Sequence, residues 1–384
     1  MVQLNGNADP AKLRGLEDIT EMYLNEAKGP VEDYKYKDLI SWFPKVKWPP
    51  LEPYEYQDRA IGADPDYKDL FSVVTKVEHL TPKLGTVLEG IDLRTLSDRQ
   101  KDELARLVAF RGVVFFRNQA IEIQEQLALG RYYGKLHRHP LTAVPRGAAT
   151  DDSLFDVHVI WGDENKLPSL GYSQVYQWHS DASYEEQPPA YTSLKLVLTP
   201  ETGGDTSYSS GYGLYDLLSP GLQHYCDTHT ALHSAVEQAR DAEQWDQPVR
   251  RDPVVTEHPM VRTHPVTGLK SIFVNPGFTR CIVGVPGPES EAILNYLYQL
   301  MATNATHSIR WKWQKNDVAM WDNRVVYHAA TYGCYPGRRH GTRVTVRGER
   351  PAFNGGKSQQ DELEAKFNFK SVEKDGSKPA NYND

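Results

Sequence analysis

His179 and Asp181, two residues apart in Gln177-Trp178-His179-Ser180-Asp181, are the first pair whose chemistry stands out. In an extended chain alternate residues share a face, so an imidazole nitrogen and a carboxylate oxygen would converge while Trp178 and Ser180 turn away. Such a pair can hold two corners of a metal ion. A third donor, His328, follows about 150 residues later in Trp321-Asp322-Asn323-Arg324-Val325-Val326-Tyr327-His328, and strands that far apart can be sheet neighbours. Two His and one carboxylate on one face of an octahedral ion leave three positions open, the arrangement suited to Fe(II) that must bind a bidentate co-substrate and O2. A closed four-ligand structural site could not admit both.

The chain has thirteen histidines, so a lone His-x-Asp carries little weight by itself. A second constellation adds to it. Arg339 and Arg343 are four apart in Arg338-Arg339-His340-Gly341-Thr342-Arg343, which on a strand puts both on one side with Gly341 between them, small enough to leave room for two guanidinium groups. Forked guanidinium donors match carboxylate or sulfonate oxygens bidentately, so two arginines aimed at one cavity are expected to bind two anions. Two surface charges on an exposed strand face are the alternative. The His137-Arg138-His139-Pro140 pair reads as a substrate-lining loop or plain turn rather than a metal site, because of the proline.

Positioning these groups falls to short strands and a few helices. Apolar runs predict strands at 73–77, 85–90, 113–116, 191–198, 271–275 and 309–313. Ser97-x-x-Gln100 opens a helix that Gly112 stops, and further helices are expected at 124–133, 214–218, 222–233 and 290–301, with one more within 11–26. Residues 240–253 read as an inserted loop or short helices covering one end of the site, and 254–268 as a hairpin. Gly203-Gly204 lacks the Lys-Ser/Thr ending of a phosphate loop. The pattern is mainly β with flanking helices, a jelly roll or β-sandwich. Residues 1–72 form a Pro- and Tyr-rich arm, 73–350 the main domain, and 351–384 a polar tail expected to be mostly flexible.

Bulk properties narrow the function. Over 384 residues, 51 acidic against 43 basic side chains give a formal charge of −8 with no long single-sign block, which argues against a nucleic-acid partner. The three cysteines make no metal-binding or redox spacing and read as reduced thiols. There is no apolar leader and no run long enough to span a membrane, so a cytoplasmic location is expected.

His179-Ser180-Asp181, Gly203-Gly204-Asp205-Thr206, Asn275-Pro276-Gly277-Phe278-Thr279, Arg310-Trp311-Lys312-Trp313, Trp321-Asp322-Asn323-Arg324, His328, Arg339 and Arg343 together resemble the taurine/2-oxoglutarate dioxygenase (TauD-like) family, over about residues 73–351. The resemblance implies a double-stranded β-helix (jelly roll, cupin-like) and an oxidoreductase that uses Fe(II), 2-oxoglutarate and O2. It implies that His179, Asp181 and His328 hold the iron, that Arg339 and Thr206 grip the distal carboxylate of 2-oxoglutarate, and that His139, Phe278 and Arg343 line the substrate pocket, Arg343 facing a sulfonate. The expected reaction is hydroxylation of a small anionic substrate, foremost an organosulfonate, with release of sulfite and an aldehyde. The same cofactors acting on a carboxylate such as an amino acid or phenoxy acid, or on a purine, form the second reading; a non-catalytic jelly-roll anion receptor forms the third. A homo-oligomer, dimer or tetramer, is compatible with all three. Taurine-oxidising members carry Asn four residues before the first ligand, where this chain has Val175, and a Ser-Phe pair where it has Ser234-Ala235. Val175 is therefore expected to remove a polar partner from the pocket and to favour anions with an apolar or hydroxylated far end.

Overall fold

The computed structural model of the chain describes residues 34–162, 173–331 and 338–367. The apolar run Val113–Phe116 is a strand with all four side chains buried. Its alternation divides them, Val113 and Phe115 joining one apolar cluster and Val114 and Phe116 another on the opposite face. The antiparallel Val318–Asp322 strand beside it repeats the division, with Ala319 and Trp321 on the first side and Val318 and Met320 on the second. Seven strands continue this sheet in the order Lys76–His79, Thr86–Glu89, Val113–Phe116, Val318–Asp322, Pro189–Leu198, Arg339–Arg347 and Val157–Gly162. All pairings are antiparallel except Thr86–Glu89 with Val113–Phe116.

A smaller sheet of Ser308–Trp311, Thr206–Ser210 and Val326–Ala330 faces the large one. The core between them holds Phe115, Leu194, Tyr208, Trp311 and Trp321, with Phe115 stacked on Trp311 at 4.0 Å between ring centroids. This sandwich is the expected double-stranded β-helix. The outer face of the large sheet is covered by the helices Asp98–Arg111 and Ile123–Tyr133, whose Leu104, Leu107, Val108, Leu129 and Tyr133 pack on Val114 and Phe116. Ser97 opens the first of them with a reciprocal capping box, its hydroxyl accepting from Gln100 N and its N–H donating to Gln100 Oε1 at 2.8 Å. Such a cap is worth about 1 kcal/mol. The Gly287–Thr303 helix covers the outer side of the small sheet, packing Leu294, Leu297 and Met301 with Tyr327, Ala329 and Trp178.

Several elements depart from the sequence reading. The helix expected at 222–233 ends at Thr228, and Thr230–Ser234 is a strand between Val255–Pro259 and Thr279–Ile282. Pairing on both edges, with Ala231 and His233 fully buried, outweighs local helical spacing there. Of the loop or short helices expected at 240–253, the structure forms one short helix that starts earlier, Val236–Gln244. The tail is not featureless: Lys357 bridges to Leu269, and the helix Gln359–Phe367 docks where Gln360 N donates to Asp216 Oδ1 at 3.1 Å. The helix expected within 11–26 lies outside the described residues, as does Cys334. No helix among the described residues is long and apolar enough to cross a membrane.

Candidate active site

His179 is not on a regular strand. It forms a single antiparallel bridge with His328, His179 N donating to His328 O at 3.0 Å and His328 N to His179 O at 2.8 Å, and Asp181 follows in the turn that begins there. The bridge ties residue 179 to the Val326–Ala330 strand, so two histidines distant in sequence have rings 4.3 Å apart between centroids. Asp181 Oδ1 lies 3.8 Å from His179 Nε2 and 3.6 Å from His328 Nε2. The three donor atoms are all within 4.8 Å of one another, and among the described residues this is the one metal-competent cluster of three.

The surroundings prepare these side chains. His179 Nδ1 lies 2.8 Å from the Gln177 carbonyl oxygen and must donate to it, which leaves Nε2 as the free lone pair. Asn323 organises the carboxylate: its Oδ1 accepts from Asp181 N at 3.3 Å and from Trp321 Nε1 at 3.0 Å, while its Nδ2 donates to Thr192 Oγ1 at 2.8 Å. Thr192 Oγ1 in turn donates to Asp181 Oδ2 at 3.3 Å, and Ser180 Oγ to the Asn323 carbonyl at 2.6 Å. Burial opposes the Asp181 charge, but the positive charge beside it, Arg343 foremost, outweighs burial and brings the pKa down to about 2. Burial lowers His179, and burial with the neighbouring His179 lowers His328 well below its ordinary range. Two neutral imidazoles and one carboxylate form the donor set that an open-sided Fe(II) site requires, so the residues fit the ion.

Arg343 and Arg339 have separate neighbourhoods. Arg343 Nη1 is 3.1 Å from Asp181 Oδ1, its other terminal nitrogen is 2.8 Å from His158 Nδ1, and its Nε is buried without a hydrogen-bond partner. Arg339 donates to Thr206 Oγ1 at 3.3 Å, and Trp313 Nε1 donates to the same oxygen at 2.9 Å. Gly204, at φ +66°, lets the chain pass the Arg339 stem, which a Cβ there would meet at 3.0 Å. Gly341 does not act as a spacer between the guanidinium groups. A Cβ there would approach the Lys195 carbonyl oxygen at 2.6 Å, because the register against Pro189–Leu198 shifts at this point and draws the two backbones together.

The remaining candidates are distributed unevenly. Phe278 packs edge-on against His179 and Tyr184, at 6.1 and 4.9 Å between centroids, and Asn275 Oδ1 fixes its turn by accepting from Phe278 N at 2.9 Å. His139 lines a small cavity with Asp181, His158 and Arg343. Its partner His137 borders the same cavity but pairs with Glu185, at 2.9 Å. Val175 is not brought to this cavity. It sits on the short turn Gln174–Gln177 and packs with Trp178 and the Gly287–Thr303 helix, so its apolar character serves that contact. Ala235 does border the site, in a cluster with Ala182, Tyr184 and Phe278. His158 was missed by the sequence reading. Its signal is a single polar residue amid the apolar Val157-His158-Val159-Ile160.

Comparison with known proteins agrees with this geometry. The profile of the taurine catabolism dioxygenase TauD, TfdA family matches residues 76–345. A Schizosaccharomyces pombe protein provisionally named an alpha-ketoglutarate-dependent sulfonate dioxygenase is 44% identical over 338 residues, 86% of this chain and 84% of that one. The Saccharomyces cerevisiae alpha-ketoglutarate-dependent sulfonate dioxygenase is 38% identical over 358 residues, 89% of this chain and 83% of the yeast protein. A crystal structure of a taurine dioxygenase from Burkholderia xenovorans superposes with a TM-score of 0.61 at 29% identity, covering 73% of this chain and 94% of that one. The chain belongs to the TauD/TfdA family of alpha-ketoglutarate-dependent dioxygenases.

Proposed function

We propose that this dioxygenase oxidises a small organosulfonate at the carbon bearing sulfur, releasing sulfite and an aldehyde, with Fe(II) held by His179, Asp181 and His328. The observation that carries the reading is Arg343, a guanidinium beside Asp181 that lines the small cavity next to the metal-competent triad. A tetrahedral anion with three equivalent oxygens supplies acceptors for such a group. Bound Fe(II) supplies the oxidising chemistry, coupling 2-oxoglutarate decarboxylation to C–H hydroxylation by O2.

The protein's share is positioning. Arg339 and Thr206 bind the distal carboxylate of 2-oxoglutarate, the guanidinium giving charge and the hydroxyl, already held by Trp313, giving direction. Arg343 draws the substrate anion to the side of the triad where Asp181 lies. Phe278 and Tyr184 form an apolar wall against His179 that keeps water from the reacting carbon.

The test is sulfite and succinate release from a panel of sulfonates, amino acids and aryloxyacids, each with and without Fe(II) and 2-oxoglutarate. Sulfite dependent on both is expected. Turnover confined to carboxylates would reject the sulfonate assignment. Asp181→Ala should abolish turnover and sharply weaken Fe(II) binding, and wild-type-like activity in that variant would overturn the metal assignment.

A further inference from the structure

His158 lines two spaces at once. On one side is the small cavity that it shares with Asp181, His139 and Arg343. On the other is a cleft of about 470 Å³, walled by Phe43 from the N-terminal arm, Leu141 from the loop after His139, Trp161, and Gln238 and Trp245 from the Val236–Gln244 helix and its end. We propose that this cleft is a subsite for an extended apolar or aromatic tail of the substrate, whose sulfonate is held at Arg343. This inference rests on the organosulfonate reading above and specifies which organosulfonates.

Continuity supports the assignment. The Tyr184 hydroxyl lies 3.5 Å from both His139 Nε2 and Gln238 Oε1, so one side chain links the wall of the reacting site to the wall of the cleft. Its ring packs on Phe278, which faces His179. A molecule anchored at Arg343 and passing His158 therefore meets the Tyr184–Gln238 edge and then the indole of Trp245.

The character of the cleft selects the tail. Trp245 is 80% exposed and Phe43 38%, two large apolar side chains left uncovered at one opening. Exposed aromatic surface grouped at a cleft mouth marks a place where an apolar partner binds. Among the described residues no lysine or arginine lines the cleft and the one charged residue there is Asp241, so a second anionic group is disfavoured. A volume in the range of organic-ligand pockets is far more than a two-carbon sulfonate fills.

The experiment uses the full chain with Fe(II) and 2-oxoglutarate, and reads sulfite release from linear 1-alkanesulfonates from ethane- to octanesulfonate and from 2-phenylethanesulfonate. In the wild type kcat/KM should rise with length, by about fourfold per buried methylene group. In Trp245→Ala and in Phe43→Ala the octane-to-ethanesulfonate ratio should fall toward one; a merely structural defect would lower both substrates together and leave that ratio unchanged. A flat series in the wild type, or an undiminished ratio in both variants, would overturn the subsite while sulfite release kept the sulfonate reading intact. An undiminished ratio accompanied by a changed sedimentation coefficient would assign the face to subunit contact instead. Absence of sulfite from every sulfonate would reject both readings.

Discussion

Asp181 donates its backbone N–H to the side-chain oxygen of Asn323 at 3.3 Å, a contact across 142 residues that aims the carboxylate at the two histidines. The same amide reaches Thr192, which holds the other carboxylate oxygen. Asn323→Ala should therefore weaken Fe(II) binding by about 10- to 100-fold, the usual cost of losing a residue that orients a ligand. Metal titration of the purified variant checks this. Asn323→Asp should not rescue it, because one of its two oxygens would face Thr192 Oγ1 without the amide's donor and a second negative charge would sit beside Asp181.

Arg339 is expected to govern co-substrate affinity. Removing one partner of a desolvated charge pair costs roughly 2–5 kcal/mol, so Arg339→Ala should raise the KM for 2-oxoglutarate at least tenfold. Its neighbour Arg338 leans over the Trp161 ring at 5.8 Å, and Arg338→Ala should leave that KM near the wild-type value. The reverse pattern in steady-state kinetics would show that the neighbouring arginine binds the carboxylate.

Chemistry-bearing types were more legible in the sequence than their supports. His179, Asp181 and His328 stand out because few residue types bind metal, and Ser97 with Gln100 marks a helix start because capping is local. The role of Gly341 is not legible in the sequence because a β-bulge depends on the neighbouring strand, which spacing along one chain does not reveal. Val175 occupies the position where the family resemblance implies a pocket residue, yet a short 3-10 turn rotates it to the other side. Residues 230–233 continue a helical spacing, and the strand they form instead is not visible locally because its two pairing partners lie far away in sequence.

A buried ion network under the site should dominate stability. Arg324 donates to Asp322 at 2.7 and 2.6 Å, to Asp58 at 2.6 Å and to Glu349 at 3.2 Å, and its side chain is fully buried. Burial would raise the Asp322 carboxyl, but Arg324 and His264 outweigh it and hold it far below the usual range. Arg324→Ala leaves these carboxylates without their cation and should cost about 3–5 kcal/mol. A large fall in Tm is the expected observation; a change of a degree or less would mean the network contributes little.

His340 should make the fold acid-sensitive. Its ring is fully buried, with Nε2 donating to the Leu39 carbonyl at 2.9 Å and Nδ1 2.8 Å from the Tyr34 hydroxyl, so it fastens the N-terminal arm to the Arg339–Arg347 strand. Burial lowers its pKa from 6.5 to about 4. The unfolded chain therefore binds a proton at this residue between those values while the folded chain does not, and stability must fall as pH drops from 6.5 toward 4. At 1.36 kcal/mol per pKa unit the loss from this residue approaches about 3 kcal/mol. His258, also lowered by burial to about 4, adds to the same slope. Because glutamine can donate to the Leu39 carbonyl without taking up a proton, His340→Gln should flatten the fall of Tm across this window relative to wild type. Parallel Tm profiles for the two proteins would mean that His340 is not a source of the acid sensitivity.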